Sequence, residues 1–339
     1  MIAVLPYVTH PKTAVLGRAG GAILLLLILL EVTLRTVWGF GKMPLYAASS
    51  EWEYMTLPNQ CGTRLGNKFY FNRYGMRSEE VDSTKKHVLG LGDSVINGGV
   101  QTEQDSLATA LFSAETGIQM LNISAGSWGP DNCAAFLKHY GLFDAKAMFL
   151  VVSSHDAHDI MDFQPVVGVS ESYPDKQYLC AIEEVVCRYI YPRYIRKFFK
   201  KNEKAELDPD QKVLAGVGID KKGKGFNPGF DQLKLMADSA KIPLVVFLHA
   251  DAEECKVGKY NSQGWEIIHW CESHKVKLIK DLDCGFTFHK IQDEFLGVKL
   301  IKDLDCGFTS EDLRDGIHLN VHGQRKLANV MEKALAGIR

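Results

Sequence analysis

The chain has 339 residues, 46% hydrophobic and 24% charged, which is apolar material for a substantial core and marks a globular protein of one large or two modest domains. A formal net charge of -2 offers no basic surface for nucleic acid. Zinc-finger spacing, a phosphate-cradling Gly-x-x-x-x-Gly-Lys and Gly-x-Gly-x-x-Gly are all missing, so neither a metal nor a nucleotide cofactor is expected, and the eight cysteines form no Cys-x-x-Cys.

After a short tail over residues 1–13, the first element is an apolar helix over residues 14–34, centred on Ala22-Ile23-Leu24-Leu25-Leu26-Leu27-Ile28-Leu29-Leu30. Wound as a helix it reaches about 30 Å and leaves Arg18 and Glu31 within a turn or so of its ends, where charges cost least. A membrane anchor over residues 14–40 is the expectation. A cleaved signal peptide is the rival, and no small-residue cleavage site follows Leu30 closely. Lys12 and Arg18 on one side are matched by Arg35 and Lys42 on the other, so charge alone sets no orientation. A short tail before a single anchor is compatible with export of the long remainder.

Residues 41–86 form a juxtamembrane extension. Within it Asn67-Lys68-Phe69-Tyr70-Phe71-Asn72-Arg73-Tyr74-Gly75-Met76-Arg77 alternates aromatic and polar groups, as a strand and turn packed on the main domain would.

The main domain occupies residues 87–339. Val88 to Leu91 has the length and character of a buried strand, and Gly92 lets the chain turn at that strand's carboxyl end, presenting Asp93-Ser94 to the cleft where open α/β sheets bind ligands. Helices near residues 104–115 and 130–140 then alternate with strands at 119–124 and 147–153. This alternation implies a mostly parallel sheet between two helical layers, with right-handed crossovers bringing Ser94, Gly126 and the loop of His155 and His158 to one sheet edge.

Residues 164–230 read as an insertion. Its segment 189–201 mixes aromatic and basic residues; it could lie on anionic lipid or an acidic polysaccharide, or be an amphipathic helix with aromatics on the core and cations in water. A helix over 230–240, a strand over 243–248 and a helix over 262–273 follow. Residues 276–287 then recur identically as 298–309, within a duplicated region of 276–309. Only one copy is needed for a sheet strand, so the second is expected in the sheet or at its edge and the first in an exposed excursion. A helix over 322–336 closes the chain, with Leu327, Val330, Met331 and Leu335 on one face.

Near that end, Asp315-Gly316-Ile317-His318 sets a carboxylate three residues before an imidazole. A serine hydroxyl becomes a nucleophile when a base takes its proton, and the base works better when a carboxylate holds its tautomer. Ser94, His318 and Asp315 could fill those roles.

Gly-Asp-Ser after the first strand and Asp-x-x-His before a C-terminal helix together resemble the SGNH (GDSL-like) hydrolases, in a membrane-anchored bacterial form, over residues 87–339. The resemblance implies a three-layer, flavodoxin-like α/β/α fold, Ser94 as nucleophile and as an oxyanion donor through its amide, Gly126 as the second donor with Gly129 the other candidate, and Asp315 and His318 as the last block. The family's third block has Asn-Asp where this chain reads His155-Asp156-Ala157-His158-Asp159. His158-Asp159 fits the family spacing better than His155-Asp156, so His158 is the expected side-chain donor; the alternative is that both pairs are loop residues bonded to each other. The activity implied is ester cleavage on an acylated, most simply acetylated, envelope or extracellular polysaccharide by an extracytoplasmic domain. The alternatives are acyl transfer to a sugar hydroxyl by the same triad and a non-catalytic carbohydrate-binding protein on this fold.

Overall fold

Strands that are apolar at every position must be covered on both faces. The computed structural model describes residues 11–195, 219, 221, 223–274, 277–278 and 298–338. In chain order the elements are α1 (Pro11–Val37), β1 (Tyr46–Ser49), β2 (Glu53–Thr56), β3 (Gln60–Arg64), β4 (Asn67–Phe71), β5 (His87–Gly92), α2 (Ser94–Asn97), α3 (Ala108–Thr116), β6 (Gln119–Ser124), α4 (Pro130–Tyr140), β7 (Met148–Ser153), α5 (Ala181–Val185, continued in wider turns over Val186–Ile195), α6 (Gly229–Ala240), β8 (Leu244–His249), α7 (Ala252–Val257), α8 (Ser262–Ser273), β9 (Lys277–Leu278), β10 (Val298–Lys302) and α9 (Val321–Ala334). One parallel sheet takes the order β6-β5-β7-β8-β10-β9.

Alternation along the strands divides the core in two. Leu89, Leu91, Leu121, Ile123, Leu150 and Val246 pack under α4, α6 and α8, against Phe136, Phe230 and Ile267. Val88, Met120, Phe149, Val151, Val245 and Phe247 point the other way, against Phe112 of α3 and Leu327, Val330 and Met331 of α9. The three-layer α/β/α architecture expected from the alternation of elements is the architecture observed.

Helix ends follow local chemistry. Asn261 and Asn320 each accept from two N–H groups at the start of α8 and α9, and Gly117 and Gly258 end α3 and α7 in the left-handed conformation. The extension over residues 41–86 is more regular than a strand and a turn: β1 pairs with β2 and β3 with β4 as two antiparallel hairpins.

The repeat differs from the expectation. Its second copy supplies β10, paired in parallel with β8, as the sheet required. The first copy supplies β9, whose Lys277 and Leu278 lie opposite Lys299 and Leu300, so equivalent residues of the two copies face each other at the outer edge. An identical segment has the same pairing pattern and adds as the next strand. The rest of the expected excursion, 279–297, lies outside the described residues, as do 196–218 of the insertion.

Candidate active site

The site begins at the end of β5. Gly92 has φ near +149°, and a Cβ there would stand 2.5 Å from the Val151 carbonyl oxygen, so only glycine lets the chain turn here. Asp93 follows, buried, and its carboxylate accepts the Val95 N–H at 2.8 Å, starting α2 with Ser94 as its first residue. Asn97 at the other end of α2 donates to the Ser124 carbonyl at 3.0 Å, tying the nucleophile's turn to β6. Beneath the following loop, fully buried Arg77 donates to the carbonyls of Asn97, Gly99 and Thr102.

Ser94 lies more than two hundred residues of chain before Asp315 and His318, yet the three come together in space. His318 Nε2 is 2.9 Å from Ser94 Oγ, and His318 Nδ1 is 2.9 Å from Asp315 Oδ2. With Nδ1 carrying its hydrogen toward the carboxylate, Nε2 is left to accept the serine proton. Burial works to raise the Asp315 pKa, but hydrogen bonds from the His318 side chain and from the N–H groups of Ile317 and His318 prevail and hold it well below the usual carboxylate range.

The loop that carries this pair is pinned on several sides. Leu313 and Leu319 form a β-bridge at its base, and the Arg314 N–H donates to the His318 carbonyl at 2.8 Å. His249 bonds the Ile317 carbonyl at 2.7 Å, and the Ala252 N–H donates to the Gly316 carbonyl at 2.8 Å. Arg314 also donates to the Gly98 carbonyl and to Thr102 Oγ1, each at 3.0 Å, so the base loop and the nucleophile loop are joined directly.

The oxyanion donors expected from the sequence are two backbone N–H groups. Those of Ser94 and Gly126 meet no acceptor among the described residues, while the Gly126 carbonyl is occupied by the hydroxyls of Tyr54 at 2.8 Å and Tyr173 at 2.9 Å. Gly129, the other candidate, spends its N–H on Asn132 Oδ1 at 2.8 Å as it starts α4.

The two imidazoles after β7 go different ways. His158, the expected side-chain donor, is drawn to α8: its Nε2 lies 2.9 Å from Glu266 Oε2, and its Nδ1 takes a hydrogen bond from the Gln263 amide at 3.1 Å. Both ring nitrogens of His158 are thereby engaged with α8. His155 turns instead to the nucleophile's own loop, its Nε2 3.7 Å from Asp93 Oδ2, 3.8 Å from Asp159 Oδ2 and 4.0 Å from Asp156 Oδ1. Burial disfavours charge on His155, but the nearby carboxylates of Asp156, Asp93 and Asp159 more than offset it and raise its pKa to about 10. Asp93 is held ionised by His155 and the Val95 N–H against the effect of burial, whereas burial pushes Asp156 up and its Oδ1 finds no hydrogen-bond donor.

Asp93, His155 and Asp156 each bring one ligand atom within 4.8 Å of the others, a spacing that suits a small cation; a proton on His155 answers the same carboxylates. Residues that the sequence reading did not single out are Arg314, Tyr54, Tyr173 and Asn97, none of which belongs to a local motif; Arg77 lay in the extension with only its segment as a signal.

No family model matches the chain, and no curated protein matches it. Solved structures do. A G-D-S-L family protein from Desulfitobacterium hafniense DCB-2 is 11% identical over 74% of this chain and 100% of its own, with a TM-score of 0.37. A carbohydrate esterase family 3 structure from Talaromyces cellulolyticus is 11% identical over 75% of this chain and 97% of its own, with a TM-score of 0.35. The salicylyl-acyltransferase SsfX3 of a tetracycline biosynthetic pathway is 12% identical over 75% of this chain and 55% of its own, with a TM-score of 0.36.

Proposed function

We propose that the chain is a membrane-anchored serine esterase of the SGNH type, facing away from the cytoplasm, that removes ester-linked acyl groups from an envelope or extracellular polysaccharide. The observation that carries this reading is the continuous hydrogen-bonded path from Asp315 through His318 Nδ1 and Nε2 to Ser94 Oγ, with both N···O distances beyond the imidazole at 2.9 Å.

In the mechanism His318 takes the Ser94 proton as Oγ attacks the acyl carbonyl, and Asp315 stabilises the imidazolium that results. The developing oxyanion meets the N–H groups of Ser94 and Gly126, with the charged His155 in place of His158 as the side-chain contribution. His318 then gives its proton to the departing sugar oxygen, and water activated by the same imidazole resolves the acyl-enzyme. The acyl group proposed is a short one, acetyl foremost. With a sugar hydroxyl in place of water, the same residues perform acyl transfer.

The test is fluorophosphonate labelling of the detergent-solubilised full chain, followed by assay of acetylated polysaccharide with and without an acceptor sugar. Labelling in the wild type and its disappearance in both Ser94→Ala and His318→Ala is the expected result. A folded wild-type protein that takes no label and releases no acetate overturns the reading in favour of a carbohydrate-binding protein.

A further inference from the structure

The apolar window Val15–Val37 of α1 has a mean hydropathy of 2.1, and none of it is buried. Its C-terminal end is nevertheless attached to the folded domain. Glu31 accepts the first N–H groups of α5, Ala181 at 2.8 Å and Ile182 at 2.9 Å, while Arg35 pairs with Glu31 and donates to the Leu179 carbonyl at 3.3 Å. One turn further along, buried Glu184 pairs with Arg64 and accepts the Gly41 N–H. Arg188 reaches Met43 Sδ at 2.9 Å, and the rings of Phe40 and Tyr189 meet edge-on at 5.7 Å. The carboxylate that would burden a free membrane helix is thus a cap for α5, and α5 is fastened where α1 ends.

The outward face of this helix is largely apolar and aromatic, with Glu183 and Arg193 exposed among its residues. Val186, Ile190, Tyr191 and Tyr194 are exposed, the last at 65%, beside Leu179 at 90% and Trp38 at 43%. Among the described residues of the segment 189–201 Arg193 is exposed, as the amphipathic reading expects, and Tyr189 packs on Phe40, but Tyr191 and Tyr194 face out as well; just before the segment Arg188 is turned in toward Met43 and Glu171. Water is a poor partner for such a surface, at about 25 cal/mol per Å² of apolar area. A bilayer interface is a good one, because Tyr and Trp place an apolar ring against acyl chains and a polar tip among headgroups.

We propose that residues 179–195 seat the catalytic domain on the bilayer that α1 crosses, with Leu179, Val186, Ile190, Tyr191 and Tyr194 in the headgroup and upper acyl region. The proposal rests on reading α1 as a retained membrane anchor. Continuity carries it: the exposed face begins at the residue whose carbonyl Arg35 holds. The seat also governs the active site, since Tyr173, which walls Gly126, lies eight residues before Ala181, a stretch that reaches at most roughly 27 Å.

The experiment places the full chain in phospholipid nanodiscs containing a diazirine-bearing phosphatidylcholine, photolyses them, and maps lipid adducts by peptide mass spectrometry. Adducts on both 15–37 and 179–195, with those on 179–195 lost in Tyr191→Asp/Tyr194→Asp while those on 15–37 persist, are the expected result. Adducts on 15–37 alone in the wild type overturn the seat and leave the anchor standing. Absence of adducts from 15–37 overturns the anchor, and the seat with it.

Discussion

His155 Nε2 stands 3.7 Å from Oδ2 of Asp93, the residue immediately before the nucleophile, so the imidazole after β7 is coupled to the turn that presents Ser94. If its charge assists the oxyanion, His155→Ala lowers kcat on p-nitrophenyl acetate by about 100- to 1000-fold. His155→Asn, which restores a neutral donor, recovers much of that loss at neutral pH.

The same group sets a pH window. Its folded pKa is raised, so its contribution to stability is fully present below the unfolded value of about 6.5 and is lost as pH rises through about 10. Urea unfolding at a series of pH values should show the wild type losing its advantage over His155→Asn on approaching pH 10. Chelator treatment discriminates a proton from a cation among Asp93, His155 and Asp156: unchanged activity is expected, and a loss restored by a divalent ion would assign the cluster to a metal.

Asp315 carries the opposite sign. Its pKa is lowered, so the stability it contributes is present above the ordinary carboxylate value near 3.8 and is lost only as pH falls below it. Asp315→Asn is expected to reduce kcat by about 10⁴-fold while the fold is retained, because an amide no longer enforces the His318 tautomer that accepts the serine proton. Steady-state kinetics beside circular dichroism checks both parts.

Ser94 and His318 act as one unit. The double variant Ser94→Ala/His318→Ala should be no slower than either single variant, since each change alone disables the same step. Additive losses would instead mean that the two side chains act independently.

Arg77 supports the nucleophile loop from below. Arg77→Met leaves the carbonyls of Asn97, Gly99 and Thr102 without their donor in a buried setting and is expected to cost about 3 kcal/mol of stability. The loss should appear as a lower urea midpoint with the slope unchanged.

The sequence by itself determined what depends on short range. Apolar runs of strand length marked the sheet; the boundaries of β6, α4 and α8 were read from their own residues, and Gly92-Asp93-Ser94 and Asp315-x-x-His318 marked the three side chains that meet in space. Each signal is written within a few residues because backbone geometry, capping and side-chain reach are local.

Tertiary structure alone decided the rest. That His158 turns to α8 while His155 turns to Asp93 depended on Glu266 and Gln263, more than a hundred residues downstream, which take both nitrogens of His158. The identical copies of the repeat have identical propensities, so only the pairing of one with β8 and the other with its twin could separate them. The segment at 186–195 is helical with Tyr191 and Tyr194 exposed, while Arg188 and Tyr189 are turned in by their contacts with Met43 and Phe40. Periodicity reports that a helix has two faces; the partners that choose between them are brought there by the fold.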